Sequence, residues 1–248
     1  MSDTIDAADA AGSDTISDTI SVRIRKMTRS GSSGKFYTVL MTLSLAVLVF
    51  SAAVSVPLLW RGFYYLQIGP LRLEETTPWS AAEMREAYNQ MMDFCMWGRP
   101  FGTGVLKWSE EGMQHFADCR VLFMLDLRML ILSFAAVIAL LLIRRKAGIL
   151  PWRPFGRGPA FWAGVIPACV FAVLALLVRF INFDKAFVIF HHLFFPGKSN
   201  WLFDWNEDQI IQILPETFFM NCAILIVVLI LVLSLLLILA DFRLARRK

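Results

Sequence analysis

The sequence predicts an all-α integral membrane protein with four transmembrane helices, both termini on the cytoplasmic side and helical loops on the extracytoplasmic side. Three observations carry this. Hydrophobic residues make up 57% of the chain and its mean hydropathy is +0.60, against about 45–50% apolar residues in an ordinary soluble domain. The excess is gathered into four runs, near residues 36–59, 121–143, 159–181 and 218–240. Basic residues fall in alternate connections between those runs, which fixes their orientation.

Each run is roughly 22–24 residues long. At about 1.5 Å per residue that gives about 33–36 Å, enough to cross a ~30 Å hydrocarbon core with some tilt. The fourth, NCAILIVVLILVLSLLLILA, has no charge at all. The second carries Asp126 and Arg128 near its start. Residues two apart do not face each other on a helix, so each is expected to reach a neighbouring helix or the headgroups.

The segment 22–35 holds Arg23, Arg25, Lys26, Arg29 and Lys35. The loop between the second and third runs holds Arg144, Arg145, Lys146, Arg153 and Arg157. The tail 241–248 holds Arg243, Arg246, Arg247 and Lys248. Loops 60–120 and 182–217 are acidic on balance. The positive-inside rule therefore puts the three basic segments in the cytoplasm and both longer loops outside. The net charge of +4 is a topology signal, and nucleic acid is not an expected partner. The first run follows some 35 hydrophilic residues and exceeds the 7–15 residues of a secretory h-region, so it reads as a retained span. Residues 1–21 repeat Ser-Asp-Thr-Ile at positions 2, 13 and 17 and read as a disordered acidic tail.

The first outer loop is too long to be a mere connector. Ser80 followed by Glu83 is a capping-box signature and predicts a helix to about Trp97, with Met84, Tyr88, Met91, Met92 and Cys95 on one face. Glycines at 98, 102 and 104 and Pro100 break it. Ser109, with Glu110 and Glu111 behind it, predicts a second start that continues unbroken into the second span. On that helix, at about 100° per residue, His115, Asp118, Leu122, Asp126 and Met129 share a stripe. Asp118 is expected to reach His115 and orient its ring, whereas Asp126 lies about 16 Å further along.

The second outer loop is short and aromatic. Asp184 predicts a helix N-cap and Pro196-Gly197 a stop. The rings at Phe183, Phe187, Phe190, Phe194, Phe195, Trp201, Phe203 and Trp205 predict a helix at the outer membrane interface. His191 shares a face with Phe187, Phe194 and Phe195, and His192 is turned about 100° away. All three histidines of the chain lie in these two loops. An imidazole out of water tends to stay neutral, which suits a general base. Cys95 and Cys119 both lie outside, where a disulfide is permitted. No C-x-x-C metal spacing occurs.

The stretch SEEGMQHFADCR resembles a Ser…His-x-x-Asp-Val-Arg motif, and FHHLFFPGKSNWLFD…LPETFF resembles a Phe-His-x-Ile-Phe-Phe…Trp…Pro-Glu-x-Phe-Phe motif. In this order, and between four spans, they resemble the bacterial integral membrane family that includes the lipoprotein intramolecular transacylase. The resemblance covers roughly residues 36 to 240. It implies transfer of the sn-2 acyl chain of a diacylglyceryl lipoprotein onto the α-amine of the N-terminal cysteine, in the bacterial cytoplasmic membrane. It implies diacylglyceryl lipoproteins and membrane lipid as partners, and no cofactor or metal. His115 and His191 match the two implicated histidines. Asp118 and Arg120 fall in the first motif as supporting residues. His192, at a variable position, Phe194, Phe195 and Trp201 are candidates for substrate contact. Two positions depart from the pattern. Cys119 stands where Val is usual. Gly112 stands where an acid is expected, a place Glu110 or Glu111 would have to fill.

An ester and an amine give an amide without a nucleotide, and no phosphate-binding loop is present. Rival readings stay open. A metal-dependent membrane hydrolase would use His115, Asp118, His191 and His192, although adjacent histidines on a helix rarely both ligate. An acyl-enzyme on Cys119 is a second. A non-catalytic scaffold is a third, and transport is disfavoured because the third and fourth spans are almost without polar groups.

Overall fold

A computed structural model describes the backbone of residues 3–246, and the side chains of residues 31–246 apart from Arg179. The described chain is helical, with no strand. Six helices carry the architecture: α1 (Asp3–Leu59), α2 (Ala81–Trp97), α3 (Glu110–Ala147), α4 (Pro159–Ile181), α5 (Phe183–Phe194) and α6 (Glu216–Arg246). Four of them, α1 from Gly31, α3, α4 and α6, are long and apolar enough to cross a membrane. The protein is therefore a multi-pass membrane protein.

The backbone of α1 is helical from Asp3. Alanine-rich sequence with Asp3, Asp6 and Asp9 in the opening turns favours extending the span's helix backwards.

In the bundle α1 lies along α3 and also touches α4 and α6, and α4 lies against α6. Small residues allow the close approach expected between helices in lipid: a Cβ on Gly164 of α4 would come within 2.5 Å of the Ser234 carbonyl of α6. Polar contacts are few. Ser55 Oγ of α1 donates to Asp126 Oδ2 of α3 at 2.8 Å, the cross-helix partner that Asp126 needed. At the other end of the bundle, Arg144, Arg145 and Lys146 complement the dipole at the C-terminus of α3, which stops at Gly148 with φ +61°.

The densest core lies outside the spans. Residues 60–109 and 196–215 fold over one end of the bundle as a cap. Tyr64, Met84, Tyr88, Met92, Ile210 and Ile213 are buried together there, with Phe116 of α3 and Phe218 of α6. α2 has the expected capping box, with Ser80 and Glu83 bonded reciprocally, and its Met84–Tyr88–Met91–Met92–Cys95 face is buried. It ends at Gly98, whose φ of +69° a residue with a Cβ rarely adopts.

Candidate active site

α3 begins at Ser109, whose hydroxyl accepts from Gly112 N at 2.9 Å. The start is tied to the second loop by Asp208, a carboxylate only 4% exposed. It accepts from Ser109 N and Ser109 Oγ at 2.8–2.9 Å. A Cβ at residue 112 would collide with Asp208 Oδ1. A carboxylate of the other loop thus fills the space beside Gly112, while Glu110 and Glu111 lie in the first turn. Less than one turn past Gly112, α3 carries His115 into an aromatic pocket. Phe195 lies at 5.0 Å and Phe203 at 5.4 Å between ring centres. His115 Nε2 lies 3.4 Å from Cys119 Sγ. Its Nδ1 is buried without a hydrogen-bond partner, which is costly unless a ligand or water completes it.

α5 brings the second histidine. Its N-cap is Asn182, which accepts from Lys185 N at 3.0 Å. Asp184, the expected cap, sits in the first turn instead. The helix stops at Phe194, before Pro196 and Gly197. His191 is buried, with Trp201 stacked on it at 4.6 Å and 28° and Phe187 at 4.2 Å. Its Nδ1 lies 2.7 Å from the Phe187 carbonyl oxygen. A carbonyl only accepts, so Nδ1–H is the donor and the neutral ring keeps its lone pair on Nε2. Burial lowers the pKa of His191 below the ordinary histidine value. The Phe187 bond works against that shift, and the neighbouring His192 adds to it.

The two loops bring these rings together. His115 and His191 lie 5.7 Å apart between centres, 33° from parallel. Phe195 touches both. The pair therefore offers a neutral base nitrogen beside a second imidazole nitrogen with no internal partner. These are the two components of proton removal and oxyanion stabilisation.

Other expected site residues sit elsewhere. Asp118 does not hydrogen-bond His115. Its carboxylate holds Lys198 Nζ and, at 3.0 Å, Asn200 Nδ2 of the second loop. An i,i+3 spacing permits contact but cannot show that a cation from a distant loop competes for it. Among the described residues Arg120 has no acidic partner. It donates to the Phe94 carbonyl at 3.0 Å and closes the C-terminal turn of α2. His192 is exposed and meets Trp201 edge-on at 5.6 Å. Phe194 is exposed and packs on Phe190 rather than on either histidine. Cys95 and Cys119 are free thiols. Among the described residues no three His, Cys, Asp or Glu side chains converge as a metal-ligand group. Sequence reasoning missed Asp208, Lys198, Asn200 and Phe203 as parts of this region. Only Asp208 left a signal, a glycine in a helix's first turn where something must approach closely.

Three comparisons bear on this site. The model of the lipoprotein intramolecular transacylase family, Lit, matches residues 39–219. An uncharacterised protein of Aquifex aeolicus is 28% identical over 120 residues, 48% of this chain and about half (53%) of that protein. Among solved structures, the membrane-integral lipoprotein intramolecular transacylase of Bacillus cereus superposes with a TM-score of 0.77 at 23% identity, covering 88% of this chain and 98% of that one. A variant of it with one histidine changed to arginine gives a TM-score of 0.73 at 22% identity, over 90% and 95% of the two chains. At such identities the likeness of structures is one of fold.

Proposed function

We infer what the protein does from the premise that the chain belongs to the lipoprotein intramolecular transacylase family. It is an acyltransferase that moves the sn-2 acyl chain of a diacylglyceryl lipoprotein from the glycerol oxygen to the α-amine of the N-terminal cysteine, giving a lyso-form lipoprotein. The observation that carries this reading to particular residues is the pairing of His115 and His191 at 5.7 Å.

The chemistry follows from what each ring has left to offer. The lone pair of His191 Nε2 takes a proton from the attacking amine. The amine nitrogen forms its bond to the ester carbonyl carbon, and the carbon–oxygen bond to glycerol breaks. The proton held on His191 then passes to the departing glycerol oxygen, so none is gained or lost overall. His115 is the donor for the oxyanion. The Cys119 thiol, protonated at neutral pH since a free thiol titrates at about 8.5, donates to His115 Nε2 and leaves the other ring proton on the unpartnered Nδ1. A dry aromatic pocket makes such a donor worth more than it is in water. Donor ester and acceptor amine belong to one molecule, so holding them in register supplies much of the rate, up to ~7–11 kcal/mol in favourable systems. The alternation of basic segments supports a cytoplasmic-membrane location with the site on the extracytoplasmic face, where a lipoprotein's modified N-terminus lies.

The test is expression in a bacterium that makes only diacyl lipoproteins. Mass spectrometry of a lipoprotein's N-terminal peptide should show one chain moved from ester to amide. His115→Ala and His191→Ala should each reduce the product about 10²- to 10⁴-fold, the usual worth of a positioned acid or base. Full modification in both variants would refute the assignment.

The 3.4 Å approach of Cys119 Sγ to His115 Nε2 favours one second reading, an acyl-cysteine intermediate made by a thiol beside a base. Cys119→Ala separates the two. Transfer persists if the amine attacks the ester directly and stops if the thiol does.

A further inference from the structure

Asp118 lies one helical turn beyond His115. Its carboxylate is held by the Lys198 ammonium and by Asn200 Nδ2, both from the second loop. The next residue, Trp201, is the ring stacked on His191. The ion pair therefore sits beside His115, one residue along the chain from the ring that covers His191. It is also open: the Lys198 side chain is 48% exposed and that of Asp118 21%. Such half-solvated pairs are among the easier ones to exchange. Asn200 has given Asp118 an amide hydrogen, while its own Oδ1 is buried without a partner. A carboxylate and an unused amide oxygen are together a receptor for an ammonium group, which has three hydrogens to donate.

The substrate in the proposed reaction brings such a group. A cysteine α-amine, with a pKa of about 8, is largely an ammonium at neutral pH. We propose that Asp118, with Asn200, is the docking site for the α-ammonium of the lipoprotein's N-terminal cysteine, and that Lys198 occupies it as a displaceable stand-in until the substrate arrives. The inference rests on the transacylase reading, for it deepens the binding side of the same site. Once seated there, the ammonium lies one helical turn from His115; it gives its extra proton to solvent, and the neutral amine then attacks as His191 takes the second. Asp118 acts here as a substrate-binding residue, and it does not orient the imidazole.

The sign of one substitution separates this role from a structural latch. The probe is a cysteinyl peptide bearing two ether-linked alkyl chains, which binds but cannot transfer, alongside its N-acetylated twin. Affinities are measured on the purified full chain in lipid nanodiscs. The wild type should prefer the free amine. Lys198→Met should tighten binding of the free-amine probe roughly two- to fivefold, the worth of an exposed ion pair, and leave the acetylated twin unchanged. Lys198→Gln, a smaller polar replacement, should behave alike. Asp118→Asn should abolish the preference for the free amine. A latch would give the opposite: removing Lys198 would loosen the loop and weaken both probes equally. That result, or a preference surviving in Asp118→Asn, overturns the proposal. Turnover of the ester-linked substrate by the wild type is followed in parallel. If turnover is present without any amine preference, only the docking site falls. If neither is seen, the transacylase reading falls with it.

Discussion

The cap and the four spans are apolar for different reasons. In the cap, Tyr64, Met84, Ala87 and Ile213 are fully enclosed by other residues of the chain. In the spans only 11–28% of each apolar window is enclosed, and side chains such as Leu132, Leu176 and Leu235 point outwards. The cap has a core of the kind a soluble domain builds, held by burial from water. The spans leave most of their apolar surface to lipid, and their mutual contacts depend on small residues and single polar bonds. The candidate site lies where these regimes meet. His115 stands on the extension of a span beyond its apolar part, and His191 on a short helix of the loop that folds over it.

That contrast can be tested by deleting comparable bulk in each region. Met84→Ala should cost about 2–5 kcal/mol, as is usual for emptying an enclosed core position. Leu235→Ala, on the lipid-facing side, should stay within about 0.5 kcal/mol. Thermal unfolding in micelles measures both, and equal losses would erase the distinction. The join between the regimes should be nearly as sensitive. Gly112→Ala would push a methyl group into Asp208, costing about 1–3 kcal/mol as overpacking and parting the two loops. Acyl transfer should fall more steeply than stability, since the His115–His191 spacing depends on that contact. Unchanged turnover would show that Asp208 does not set the spacing.

The smallest effect is on pH. Catalysis needs His191 neutral, and the neutral fraction rises with pH. Burial lowers its pKa, so the acid limb of kcat/KM should lie below the ~6.5 of an ordinary histidine. Trp201→Ala admits water to the ring and should move that limb upwards. A limb that stays in place would mean that a different group is titrating.

Much of this was legible in one dimension. Four spans follow from length and hydropathy, and the helices at Ser80 and Ser109 follow from their caps, because these signals are local. The candidacy of His115 and His191 was legible too, through residue type and the resemblance that their flanking motifs carry. The partners were not. Asp118 was expected to serve its neighbour on the helix, yet Lys198, 80 residues away, holds it. Arg120, placed by the resemblance among the supporting residues, caps α2. Local spacing says which groups can meet, whereas the actual partner depends on which distant segment the fold brings within about 3 Å, the reach of a hydrogen bond.

By itself, then, the sequence determined an all-helical membrane protein with its three histidines in two separate loops. Hydrophobic runs, caps and charge blocks act over a few turns of chain and need no tertiary context. Only the tertiary structure decided that two of those histidines share one pocket while the third is exposed. It also decided that Asp208 of the second loop fills the space beside Gly112, and that the carboxylate one turn beyond His115 holds an ammonium. Each of these depends on how the second loop closes over the start of α3, and the packing of the cap sets that closure.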